Sequence, residues 1–297
     1  MVSLQGVSFA HVRNKIRYLT SHPGFQQSRL RTLSRLCHWG LRCALNIPAI
    51  VALPEWDARF YLPPRWHGGG TTMIYALRER YEAELLHLYR FVSPGMIVVD
   101  GGANCGIYTV VAAKLVGPSG VIFSFEPGRE AFSTLETNVQ LNGLANVRPC
   151  RAALSDRLGT AVLYHHPEGP NSFSLGPPDA GKPAFEEVTL CSLDHIVPEE
   201  LVPGIGLIKL DVEGAEELVL RGAPSILARS HPTVIFEMHS LAAQRLGLDP
   251  VGSWSLLSSL GYKFFLLADH GSLCPLKSPP AASTPINVIA MHNGGRA

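Results

Sequence analysis

Val98-Val99-Asp100-Gly101-Gly102-Ala103-Asn104-Cys105-Gly106-Ile107-Tyr108-Thr109 decides the reading of this chain. The run before it, Met96 to Val99, is continuously apolar, as a strand buried on both faces must be. The segment after it, Ala103 to Val116, reads as a helix. A glycine-rich turn between a buried strand and a helix is the place where open α/β sheets hold nucleotides. Gly102 allows a tight turn and the close approach of a ligand, and Gly106 lets the helix pack near the strand.

The turn departs from the dinucleotide pattern G-x-G-x-x-G and reads D-x-G-x-N-x-G. A carboxylate at the strand end, Asp100, repels a pyrophosphate and attracts an amino group. S-adenosylmethionine carries an ammonium and a sulfonium, so its charge fits. Further on, Glu126-Pro127 closes the next apolar run, Val121 to Phe125, 24 residues after Gly102. An acidic side chain there accepts hydrogen bonds from vicinal ribose hydroxyls, in nicotinamide folds as in adenosyl-binding ones.

Outward from this unit, strands and helices alternate. Strands are expected at Asn146–Leu154, Leu207–Leu210, Thr233–Phe236, Tyr262–Leu267 and Ile286–Ala290, with helices at 130–141, 215–227 and 253–260. Such alternation specifies a parallel sheet covered on both faces. The last two strands lack a helix between them and are expected to pair antiparallel. The β-like runs Thr160–Tyr164 and Val188–Leu193 flank a Pro/Gly-rich loop, Pro167 to Pro183, read as a lid over an acceptor. A second Pro-rich loop is expected at 275–285. Upstream, residues 1–50 read as amphipathic helix ending near Pro48. A short strand at Ala58–Leu62, a joint at Gly68-Gly69-Gly70 and a helix from Thr71 to Phe91 follow. Residues 1–92 are thus expected to form an extension and 93–297 the ligand-binding domain.

The ionisable residues gather at strand ends, where ligands bind in open sheets. Lys209-Leu210-Asp211-Val212-Glu213-Gly214-Ala215-Glu216 puts Lys209 and Asp211 inside or beside an apolar run, a placement that helix capping does not explain. Asp211 and Glu213 are expected on one side of an extended segment. Phe236-Glu237-Met238-His239 adds an imidazole able to accept a proton near neutral pH.

Bulk properties narrow the classes. Of the 297 residues, 46% are hydrophobic and 16% charged, which suits a sizeable core. The net charge of +1 gives no reason to expect a nucleic-acid partner. Residues 1–50 carry seven Lys or Arg and no Asp or Glu, so the rest is acidic. That basic arm is a solvated helical face, a membrane or acidic-partner contact, or a transit-like segment. The six cysteines form no C-x-x-C pair, which indicates neither zinc nor redox chemistry and fits reduced thiols in a cytoplasmic protein. No apolar run is long enough for a membrane span.

The chain resembles the FkbM family of methyltransferases over roughly residues 57–240. The resemblance rests on Tyr81-Glu82, the Val99–Gly106 turn, Phe125-Glu126-Pro127, Asn138 with Asn142, the Lys209–Glu216 string and Phe236–His239. It implies an α/β, Rossmann-like class I methyltransferase fold, with a seven-stranded, mostly parallel sheet whose last strand is antiparallel. It implies S-adenosylmethionine as donor and a hydroxyl on a sugar or secondary metabolite as acceptor. Donor contacts then fall to Glu82, Asp100, Gly102, Asn104, Gly106, Thr109, Glu126, Pro127 and Ala153. The absence of an Asn-Pro-Pro-Tyr-type string argues against methylation of a base amino nitrogen. Asp211 or His239 is the expected base, with Lys209 positioning charge. The alternative is a Mg2+ ion held by Asp211 and Glu237 or His239 that lowers the hydroxyl pKa. Two other functions stay open: a methyltransferase-like binding protein without catalysis, and a nicotinamide-dependent oxidoreductase. A homodimer is one arrangement open to the chain.

Overall fold

The computed structural model describes residues 19–20, 22–66, 69–165, 173–176, 184–280 and 285–294. Its strands, in chain order, are β1 (Ala49–Leu53), β2 (Ala58–Leu62), β3 (Ile97–Gly101), β4 (Val121–Phe125), β5 (Val147–Cys150), β6 (Ala153–Leu154), β7 (Gly159–His165), β8 (Phe173–Ser174), β9 (Phe185–Cys191), β10 (Ile205–Leu210), β11 (Thr233–Met238), β12 (Tyr262–Leu267), β13 (Leu273–Leu276) and β14 (Ile286–His292).

The main sheet runs β13-β12-β14-β11-β10-β3-β4-β5. From β5 through β11 every pairing is parallel, and β14 slots in antiparallel between β11 and β12. These are the seven strands expected from the sequence, with the last one reversed. An eighth, β13, adds antiparallel to the outer edge of β12. The sequence reading has 275–285 as loop. Pro275 has no N–H to give a neighbour, and an outermost strand is where that loss is tolerated.

Alternate residues of the central strands enter two separate cores. Val98, Leu207, Ile235 and Ile289 pack on one face, and Val99, Ile208, Val234 and Val288 on the other. Both faces are covered, which is why these strands are apolar without alternation. The first core also takes in Trp39, Phe60 and Ile74, so the N-terminal elements pack directly on the sheet's covering helix at Ile107–Val116.

The upstream region differs from its sequence reading in two ways. The helix Arg29–Ala44 ends near Pro48, as expected, but Ala49–Leu53, not read as a strand, forms a hairpin with β2 through Asp57 at φ 46°. The expected helix 71–91 is broken into Gly69–Leu77, Ala83–Leu86 and short 3-10 turns. Ile74, Leu77, Leu85 and Leu88 are all buried, so the apolar spacing survives the break. The break itself turns Glu82 into extended backbone, φ −143° and ψ 148°.

The free edge of β2 is bonded by side-chain amides rather than by a further strand. Asn138 Oδ1 accepts from Tyr61 N at 2.6 Å, while its Nδ2 donates to Cys105 O at 2.8 Å. Asn142 Oδ1 accepts from Arg59 N at 2.8 Å. The two asparagines sit one turn apart at the end of the helix Arg129–Leu141 and tie the extension to it.

The expected third strand, Asn146–Leu154, divides. β5 joins the main sheet, and β6 joins a second sheet, β6-β9-β7-β8. Most of the expected lid, Pro167 to Pro183, lies outside the described residues; 173–176 are described.

Candidate active site

Register brings the charged residues into one row. Lys209 stands opposite Asp100, and Asp100 opposite Ser124. The Asp100 carboxylate accepts a 2.5 Å hydrogen bond from Thr109, which shares a 2.8 Å bond with Ser124. All are buried. Thr109 therefore holds Asp100 from the helix that follows. Burial pushes the Asp100 carboxyl up to about 6, against the pull of the Thr109 bond and of Lys209.

Beyond this row a cleft opens at the carboxyl ends of β3, β4 and β10. Gly102, Asn104, Glu126, Pro127, Ala153 and Asp211 line it. Thus six of the sequence-assigned residues meet in one place. Asp100, Gly106 and Thr109 stand behind its wall. Leu163 and Leu175, contributed by the second sheet and the segment after β8, add apolar lining that the sequence reading missed. Only the β-like run Thr160–Tyr164 pointed there.

Both glycines have the positive φ that a tight turn needs, and packing adds a further constraint on each. Gly102 has φ 77°, and a Cβ there would meet Asp211 O at 1.9 Å. Its bareness is required by the neighbouring β10 loop, which Asp211 N ties to Gly101 O at 2.9 Å. Gly106 has φ 85°, and its Cβ would lie 2.5 Å from Leu135 Cδ1, on the next helix rather than on the strand.

Glu126 is fixed by both oxygens. Oε2 accepts from Asn104 N and Oε1 from Gly128 N, each at 2.8 Å. Each oxygen retains a second lone pair for a hydroxyl donor. Burial raises its pKa to about 7, with the two N–H bonds opposing.

Lys209 is 2% exposed, with Nζ 3.8 Å from Asp211 Oδ2 and 5.0 Å from the centre of the Tyr108 ring. Burial disfavours its ammonium, but Asp211, Glu82, Asp100 and Glu237 outweigh this and raise its pKa. Tyr108 in turn donates to Glu82. Burial lifts the Glu82 carboxyl to about 7, against Lys209 and the Tyr108 bond. Tyr108 lies in the deciding stretch, yet nothing local in the sequence marks it as the link to Glu82. Four carboxylates, Asp211, Glu82, Asp100 and Glu237, thus act on a single ammonium.

Asp211 and Glu213 do not share an extended segment. The chain turns after Leu210, and Glu213 sits at φ 53°. Glu216 takes N–H bonds from Val212 and Gly214, holding this turn from the helix start. Glu213 thereby joins Glu237 and His239. His239 Nδ1 is 3.9 Å from Glu213 Oε2 and 3.9 Å from Glu237 Oε2. One ligand atom from each of the three lies within 4.8 Å of the others. Burial and the charges of Asp211 and Glu216 raise Glu213 to about 8, and burial with its acidic neighbours raises Glu237 as well. Asp211 is engaged by Lys209 instead, so the structure replaces it with Glu213 in the expected metal set. Among the described residues no helix is long and apolar enough to cross a membrane.

A parallel sheet of this strand order, with a reversed final strand and an acidic cleft at its glycine turn, defines a Rossmann-like class I methyltransferase. A family model described as the methyltransferase FkbM domain matches residues 100–264, more than half of the chain. The chain belongs to the FkbM methyltransferase family, whose methyl donor is S-adenosylmethionine. It is 29% identical over 170 residues to Methyltransferase sdnD of Sordaria araneosa, covering 47% of this chain and 65% of that one, just under two thirds of the relative's length. It is 25% identical over 228 residues to 31-O-demethyl-FK506 methyltransferase FkbM of Streptomyces tacrolimicus, covering 66% and 80%. Hexuronic acid methyltransferase AglP of Haloferax volcanii is 26% identical over 233 residues, covering 77% and 88%.

Proposed function

We propose that the chain transfers a methyl group from S-adenosylmethionine to a hydroxyl of a small molecule, with residues 93–297 binding the donor and 1–92 capping the acceptor side. The observation that carries this reading is the charge imbalance of the site: Lys209 is paired with Asp211, which leaves the carboxylates of Glu82, Asp100 and Glu126 in excess. A doubly cationic donor relieves that imbalance, and a dinucleotide would aggravate it. The remaining lone pairs of Glu126 suit the donor's ribose hydroxyls. The relative named 31-O-demethyl-FK506 methyltransferase supports an oxygen acceptor, and the one named hexuronic acid methyltransferase a small-molecule or sugar acceptor.

When bound, the donor supplies a methyl group already activated on a sulfonium. Glu126 holds the ribose hydroxyls, beside Pro127 and the apolar wall of Ala153 and Leu163. Asp211 would accept the acceptor hydroxyl's proton as the carbon–oxygen bond forms and the methyl–sulfur bond breaks, leaving S-adenosylhomocysteine, and Lys209, 3.8 Å away, orients Asp211. Tyr108 and Glu82 close the donor side and keep water from the reacting oxygen. Incubation with methyl-labelled S-adenosylmethionine and a panel of hydroxylated metabolites tests this. Label in a base-stable methyl ether supports it; label confined to amines or carboxyls contradicts it.

A second reading keeps the same reaction but adds a divalent metal at Glu213, Glu237 and His239. Their convergence favours it, since one ligand atom of each lies within 4.8 Å of the others and small side-chain rotations would bring all three onto one ion. The ion would lower the pKa of a bound hydroxyl.

A further inference from the structure

The helix Arg29–Ala44 is held by one face and bare on the other. Thr32 and Trp39 point inward and are buried. Trp39 Nε1 donates to Thr72 Oγ1 at 2.9 Å, and its ring stacks on Tyr75 with 4.7 Å between centres. Leu30, Leu33, Cys37, Leu41 and Leu45 recur at three- and four-residue spacing and are all exposed, Leu30 by 85% and Leu41 by 57%. At 3.6 residues per turn they form one stripe directed away from Trp39. Ser34 and Ala44 fall within the same stripe, are exposed too and carry no charge.

Trp66 widens the stripe. It is 44% exposed, and its ring lies 3.4 Å from the place a Cβ would take at Gly40. Gly40 stands one turn after Cys37, so the bare position lets the indole rest against the helix. Single exposed leucines are ordinary on a protein surface, but four turns of them with an indole alongside make a patch. An apolar helix face edged by an indole suits the boundary between lipid headgroups and acyl chains.

Charge selects the surface. Residues 1–50 carry seven Lys or Arg and no Asp or Glu. Arg29 and Arg31 are exposed on the two flanks of the stripe, and among the described residues no salt bridge holds either. Glu55 and Glu79 lie on the helix's other side, beside Thr32 and Arg35. A second copy docked through this face would press two such basic segments together. A bilayer with anionic headgroups meets both features at once, with acyl chains for the leucines and phosphates for the guanidiniums.

We propose that the helix Arg29–Ala44 is a membrane-surface anchor that lies flat on an anionic bilayer. Its leucines enter the headgroup–acyl boundary, its arginines meet lipid phosphates, and the Trp39 face keeps the rest of the chain on the aqueous side. The contact is peripheral and reversible, because only one face of the helix enters the lipid. It is independent of the methyl-transfer reading.

The test is flotation of the full chain with vesicles of phosphatidylcholine alone and of phosphatidylcholine with about 30% phosphatidylglycerol, at about 0.1 M and about 1 M salt. The chain should bind the anionic vesicles about tenfold or more tighter than the neutral ones at low salt, and high salt should remove most of that difference. Leu33→Gln with Leu41→Gln should weaken binding about tenfold or more. Arg29→Gln with Arg31→Gln should weaken it on the anionic vesicles alone, by about fivefold per arginine. All four positions are exposed, so the Tm of both variants should stay within about 2 °C of the parent. No flotation with anionic vesicles, or flotation indifferent to the leucine pair, would overturn the proposal. So would a dimer in sedimentation equilibrium that the leucine pair dissolves, without vesicle binding, which would give the face to a second copy.

Discussion

Lys209 and Asp100 face each other in register across the parallel strands β10 and β3, both buried. The pairing puts a single ammonium at the centre of a group of carboxylates that burial drives towards protonation. Charge carried by a ligand is then part of what makes the site stable.

The pH dependence follows with a definite sign. Glu82 and Glu126 stand near 7 and Asp100 near 6, above their ordinary values of 4.5, 4.5 and 3.8. The folded chain therefore holds more protons than the unfolded one between about pH 4 and 7. Stability of the ligand-free protein falls as pH rises through that window. Donor affinity moves the other way, because a cation favours the ionised carboxylates. Melting scans should give a lower Tm at pH 8 than at pH 6 without ligand, and calorimetry a tighter donor complex at pH 8. Glu82→Gln should flatten both trends. Opposite slopes would mean that the carboxylates are already ionised in the empty site.

Gly102 is a packing requirement before it is a binding one. A methyl group there meets Asp211 O at 1.9 Å on backbone of positive φ. Gly102→Ala should cost about 3 kcal/mol or more and lower Tm by at least about 6 °C. A Tm within about 2 °C of the parent would show that the β10 loop yields easily.

Donor binding and turnover should separate. Asp211→Asn and His239→Ala leave the Glu126 contacts untouched, so donor affinity should stay within about threefold while turnover falls roughly 10²–10⁴-fold for the residue acting as base. Glu213→Gln and a chelator distinguish the two mechanisms. Metal use predicts that chelator abolishes activity and Mg2+ or Mn2+ restores it in the parent but not in the variant. Full turnover in both base variants, with no metal dependence, would remove these residues from the catalytic step.

Much of the site was legible because its parts are local. A buried strand, a glycine turn and a terminal acid are neighbours in sequence, and so Asp100, Gly102, Asn104 and Glu126 could be read directly. The features that escaped depend on distant pairing. Glu82 is assigned to the donor through the Tyr81-Glu82 resemblance, but the helical spacing of Ile74 to Leu88 hides the break that leaves it extended and bonded to Tyr108. Glu213 reads as extended until the positive φ of its turn brings it to Glu237 and His239. Asn138 and Asn142 were recognisable as a pair, but their bonding to the edge of β2 needs the tertiary arrangement. β13 was hidden by Pro275, which reads as loop unless an open sheet edge lies beside it.

Calorimetric titration of the purified chain with S-adenosylmethionine and with NAD, repeated on Glu126→Ala, tests the central claim most directly. The account predicts one donor site per chain, undetectable NAD binding, and a loss of about 1–3 kcal/mol in donor affinity on removing the Glu126 carboxylate. Equal affinity for NAD, or donor binding indifferent to Glu126, would contradict it.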